Sequence, residues 1–125
     1  MSLTKFGTAV REYRRQLGLT LSSMATALST SPAFLSAMET GRSKVPMEWV
    51  EKIASYFVAQ GKDVQLNRLK AMACESNDTV SLNGLPAHHK MLIAGFANSD
   101  LNQEQLSKLG TLLSEIYGEK IKNDA

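Results

Sequence analysis

The chain of 125 residues lacks any apolar run approaching the ~18 residues that a membrane-spanning helix needs, and so predicts no membrane segment. It holds one cysteine, Cys74, which excludes an internal disulfide and suits a reducing compartment. The opening residues MSLTKFG contain no signal-peptide core, and a cytoplasmic location is expected. No G-x-S-x-G, P-loop or HExxH pattern occurs, and no acidic pair stands out on an apolar face, so no enzyme is expected. No CxxC or HxxxH spacing occurs either. His88 and His89 are adjacent and cannot both face one ion from a regular helix, so no metal site or other cofactor is expected. Three prolines and eight glycines leave long stretches open to helix.

What is present points to a folded, mostly helical protein. Hydrophobic residues make up 43% of the chain, enough to bury a sizeable core. The net charge of +2 conceals an asymmetry. Residues 1–62 carry eight Lys/Arg against four Glu, whereas residues 63–125 carry six basic and eight acidic residues. A basic front and a mildly acidic back suit a protein that docks a polyanion with one end.

Apolar spacing divides the front into five helices. Thr4 can cap a helix reaching about Gln16, with Phe6, Val10, Tyr13 and Leu17 along one face. Gly18 breaks it, Leu19 drops into the core, and Thr20 caps a second helix with Leu21, Met24, Ala25 and Leu28 inward. Ser29 and Thr30 interrupt the pattern; Ser31 caps a third helix, Pro32 occupies its first position, Leu35 and Met38 point inward, and Gly41 closes it. Two short helices joined by a turn of this length form a helix-turn-helix unit, whose second helix enters the DNA major groove. Pro46 opens a fourth helix with Trp49, Val50, Ile53, Ala54 and Phe57 buried; a fifth starts at Asp63 as its cap and runs towards Met72 or Cys74.

The segment Lys5–Met72 resembles the DNA-binding domain of the lambda-repressor-like (XRE) family. The matching residues are Arg14, Gly18-Leu19-Thr20, Met24-Ala25, Leu28, Ser31, Leu35-Ser36, Met38-Glu39, Gly41 and Pro46. Two positions depart from that pattern: Leu21 stands where the family often has Gln, and Ser29 where the turn often has Gly. The resemblance implies an all-α, five-helix lambda-repressor-like domain over residues 1–75. It also implies a structural pairing of Arg14 with Glu39, and places Pro32, Ala33 and Ala37 where relatives carry base-reading side chains.

Residues 76–125 form a C-terminal helical extension. Ser76–Gly84 reads as a short strand or an extended linker. One helix follows from Pro86 to about Ala97, and another from about Asn102 to Tyr117 with Leu106, Leu109, Leu112, Leu113 and Ile116 apolar. That stripe is wide for an element the five-helix core does not need, and a second copy of the chain is the simplest cover for it.

The expected DNA surface has three parts. Ala33, Phe34, Ser36 and Ala37 lie opposite Leu35 and Met38, with Ser31 and Pro32 at the entry of the same helix. None offers the bidentate pairing that Arg, Asn or Gln makes with a purine, so methyl contacts, DNA shape and a few polar groups carry the readout. Thr20, Ser22 and Ser23 sit at a helix N-terminus that favours phosphate. Thr40, Arg42, Ser43 and Lys44 follow the third helix along the DNA backbone. The expected function is a transcriptional regulator, a homodimeric repressor on double-stranded DNA with a palindromic operator. The rival readings are an antitoxin-type regulator whose C-terminal part holds a toxin, and an accessory protein of a phage or plasmid assembly.

Overall fold

The computed structural model describes residues 2–124, with side chains described as far as 118. Thr4 is extended, and its hydroxyl accepts the Gly7 N–H at 3.0 Å to open α1 (Lys5–Leu17). Gly18 ends that helix at φ 67°, a left-handed conformation that side chains resist. A reciprocal cap follows. Ser23 N–H donates to Thr20 Oγ1 at 3.0 Å, and Thr20 N–H donates to Ser23 Oγ at 3.1 Å, starting α2 (Leu21–Ala27). Ser31 Oγ accepts the Phe34 N–H at 3.1 Å and Pro32 takes the first position of α3 (Pro32–Glu39). Pro46 precedes α4 (Met47–Ala59), and α5 is Leu66–Asn77.

α5 departs from expectation at both ends. It starts at Leu66 after Gln65, not after Asp63, because Val64 is drawn against the core and holds the preceding residues irregular. It runs beyond Cys74 to Asn77, where Asp78 closes it at φ 56°. Residues 79–82 carry no regular structure, and the described residues contain no strand, so the linker alternative holds there. α6 (Ala87–Ala97) follows Pro86 as expected, whereas α7 (Gln103–Asp124) extends past Tyr117.

The chain divides into two units, Met1–Ser81 and Leu82–Ala125. The first holds α1–α5 around one core: Phe6 and Val10 of α1, Met24 and Ala25 of α2, Leu35 and Met38 of α3, Val45, the Val50–Ile53–Ala54–Phe57 stripe of α4, and Leu69 and Ala73 of α5. At ~2 kcal/mol for each large side chain removed from water, this core is the main stabilising term. Four residues expected inside it are half-buried instead: Leu19, Leu21, Leu28 and Trp49. Trp49 is turned to the rim of the core, where its ring meets Phe34 of α3 edge-on. The second unit contains α6 and α7, and none of its described residues is buried.

Candidate nucleic-acid interface

The angle of α3 is set from below by α1. Arg14 and Glu39 are both buried, and the guanidinium grips the carboxylate in two bonds, Nη1 to Oε2 at 2.7 Å and Nη2 to Oε1 at 2.9 Å. Arg14 Nη1 also lies 3.4 Å from the Met24 sulfur, so one side chain ties α1, α2 and α3 together. Thr4 adds two bonds to the Glu39 carbonyl, from its N–H at 3.0 Å and from Oγ1 at 3.2 Å. Beside it, a Cβ on Gly7 would fall 1.9 Å from the Glu39 carbonyl oxygen. Gly7 is therefore required by the close crossing of α1 with the end of α3, a constraint that no periodicity or cap signal in the sequence announces.

The turn before α3 carries its own strain. Ser29 sits at φ 56°, in left-handed space at the position where the lambda-repressor-like pattern often has glycine. Its N–H still bonds to the Thr26 carbonyl at 3.2 Å, and the Thr30 N–H reaches the Ala25 carbonyl at 2.9 Å.

The outer surface of α3 is small and apolar. Ser31, Pro32, Ala33 and Phe34 are exposed, and Ser36 and Ala37 are half-buried. Ser22 and Ser23 are exposed at the start of α2 beside Thr20. Most of the hydroxyls expected to meet DNA are already engaged locally: Thr20 and Ser23 in their mutual cap, Ser31 on the Phe34 N–H, and Thr40 Oγ1 on the Ser36 carbonyl at 2.9 Å. Ser43 Oγ points inward and is buried without a partner, so of the loop residues Thr40, Arg42, Ser43 and Lys44 it is the one turned away from a phosphate. Arg42 and Lys44 are exposed, and neither forms an ion pair among the described residues. On α1, by contrast, Arg15 is engaged with Glu12. That hydrogen bond, aided by the Arg15 charge, holds the exposed Glu12 carboxyl below the usual carboxylate range.

A second residue missed by sequence reasoning fixes the loop that carries those two cations. The Asn77 carboxamide pairs with both backbone groups of buried Val45, accepting its N–H at 2.8 Å and donating to its carbonyl at 2.9 Å. Together with the Ser43 N–H on the Ala37 carbonyl at 3.2 Å, this clamps residues 41–45 between α3 and the end of α5. A polar residue at the end of a helix normally reads as a solvated cap, so composition gave no sign of the pairing.

α2 and α3, joined by the turn at Ser29, have the arrangement of a helix-turn-helix unit, and two exposed cations, Arg42 and Lys44, follow its second helix. Residues 5–66 match the family model described as a helix-turn-helix domain. These residues belong to the helix-turn-helix domain family. No curated protein and no solved structure matches the chain. The matched helix-turn-helix segment takes in α1–α4 and ends where α5 begins. Such a domain is a DNA-binding unit, which agrees with the basic excess of the front half. His88 and His89 are exposed on α6, and Cys74 is half-buried on α5.

Proposed function

We propose that this protein is a cytoplasmic, sequence-specific transcriptional regulator of the lambda-repressor-like kind, which binds a palindromic operator as a homodimer and represses by occupying it. The observation that carries the reading is the rigid seating of α3: the buried Arg14–Glu39 pair and the Thr4 bonds hold its small outer face clear of the core. Exposed Arg42 and Lys44 follow that helix and are offered to the phosphate backbone, as are exposed Ser22 and the first turn of α2. A surplus of four cations in the front half is modest, and two copies on one duplex supply the affinity that one lacks.

The second unit supports the dimer. It leaves Met91, Leu92, Phe96, Leu106, Leu112, Leu113, Ile116 and Tyr117 exposed, and none of its described residues is buried. Two helices without a buried residue are too small a unit to hold themselves together. A standard interface takes about 800 Å² from each partner, and these side chains are the apolar surface the unit has to offer one. A dry seam with a second copy of α6 and α7 would complete a four-helix arrangement. The same surface suits a foreign protein, as in the antitoxin reading, and the two are separated by the mass of the purified protein: a stable dimer alone in solution supports the homodimer, a monomer that pairs only with a second protein supports the rival.

Selection of bound sequences from random duplexes, with salt titration, tests the whole reading. The expected result is a two-fold symmetric site with half-sites about one turn, ~10 base pairs, apart. Neutralising Arg42 or Lys44 is expected to reduce the slope of log affinity against log salt by about one for each phosphate left without its cation. No enriched sequence, or a slope indifferent to both cations, defeats it.

A further inference from the structure

The face that α3 turns outward has almost no hydrogen-bonding capacity. Pro32, Ala33 and Phe34 form its exposed part, and the Ser31 hydroxyl is held on the Phe34 N–H. Among the described side chains of α3, Ser36 alone brings a hydroxyl, and it is half-buried. Phe34 is 37% exposed and packs against Trp49. Its ring lies edge-on to Trp49 with centroids 4.9 Å apart and planes at 62°, and the Trp49 ring is itself held by Lys52, whose Nζ sits 4.6 Å from its centre. In the major groove the base edges present donors, acceptors and one kind of apolar group, the methyl at C5 of a pyrimidine. A small side chain beside an aromatic ring has nothing to offer the donors and acceptors, and apolar surface to set against the methyl.

We propose that α3 reads C5-methyl groups of pyrimidines, with Ala33 and the exposed part of the Phe34 ring as the contact surface and Trp49 as the residue that positions Phe34. The inference rests on the DNA-binding reading proposed for the helix-turn-helix unit. Thymine and 5-methylcytosine both carry the group.

The test uses the full chain and the duplex of highest affinity recovered by selection, with binding followed by fluorescence anisotropy at fixed salt. Replacing single thymines by deoxyuridine removes the methyl group and nothing else. Binding is expected to weaken about fourfold at one or two thymines in each half-site, the worth of one methyl-sized group taken out of water. Where such a T·A pair is changed to C·G, methylation of that cytosine is expected to restore about the same factor. Restoration shows that the methyl is read from either base; a deoxyuridine penalty without restoration confines the site to thymine, and both results uphold the assignment. Phe34→Ala is expected to erase the penalty at its own thymine. Trp49→Ala should shrink it and Trp49→Phe retain it, with the salt slope unchanged in both. A selected site that tolerates deoxyuridine at every position overturns the methyl assignment and leaves DNA binding standing. An unchanged penalty in Phe34→Ala overturns the role of that ring. A chain that enriches no duplex removes this inference and the reading beneath it together.

Discussion

The two units are built from the same kind of element and differ in where their apolar side chains go. In Met1–Ser81 all five helices send apolar side chains into one interior, and even a charged pair, Arg14 with Glu39, is taken inside. In Leu82–Ala125 two helices carry leucine and isoleucine at a higher density than the front helices do, and among the described residues none of it is buried. The difference teaches that helix formation and core formation are separate achievements. Caps such as Asn102, whose side chain and that of Gln105 bond each other's backbone N–H at 2.9 and 3.0 Å, suffice for the first. The second needs a third or fourth surface to close over the stripe.

The contrast can be broken most forcefully in the first unit. Phe57→Ala removes a fully buried ring that Tyr13 and Tyr56 both meet edge-on, and should cost about 4 kcal/mol of unfolding free energy in denaturant titration. A cost below about 1 kcal/mol would mean that the core collapses around the loss and is not the tightly packed unit described. Arg14→Ala leaves the Glu39 carboxylate buried without its partner and should cost about 3 kcal/mol by the same titration. Asn77→Ala strands the two backbone groups of Val45 and should cost about 2 kcal/mol. Its effect on DNA should exceed that of an equally destabilising core change, because it frees the loop bearing Arg42 and Lys44; equal effects on binding at matched stability would refute the clamp.

In the second unit the sign of the comparison reverses. Leu113→Ser should leave the denaturation of the first unit within about 0.5 kcal/mol of the parent, while shifting the sedimentation equilibrium towards monomer. A variant that still sediments as the parent does would remove Leu113 from any seam. The smallest effect belongs to Glu12. Because its carboxyl titrates lower in the folded chain than in the unfolded one, its contribution is present above the unfolded value and fades as pH falls through the folded one. Carboxyl chemical shifts followed against pH should place Glu12 below the usual carboxylate range, and Arg15→Ala should return it to that range.

The first four helices were legible because each is announced twice, once by apolar spacing and once by punctuation: Thr4, Gly18, Thr20, Ser31-Pro32 and Pro46 all sit where the caps fall. The start of α5 was not, because Asp63 resembles a cap and only the pull of Val64 into the core disqualifies it. The Arg14–Glu39 contact was legible through resemblance, being a pair of residues 25 positions apart that no local rule connects. The composition of the α3 surface could be read directly, since Leu35 and Met38 fix which way the helix faces. What escaped was everything decided by tertiary approach: the crossing at Gly7, the inward turn of Ser43, the tilt of Trp49 onto Phe34, and the reach of Asn77.

The position of Asn77 has a practical consequence for anyone who would transplant the helix-turn-helix unit of this protein onto another scaffold. The matched segment stops at residue 66, yet the amide that braces the loop beside the recognition helix lies beyond it. A graft cut at the family boundary would carry the reading helix intact and leave its neighbouring cations swinging on an untethered hinge. The portable piece is the whole of residues 1–81, and a fusion joined after Ser81 would keep the brace.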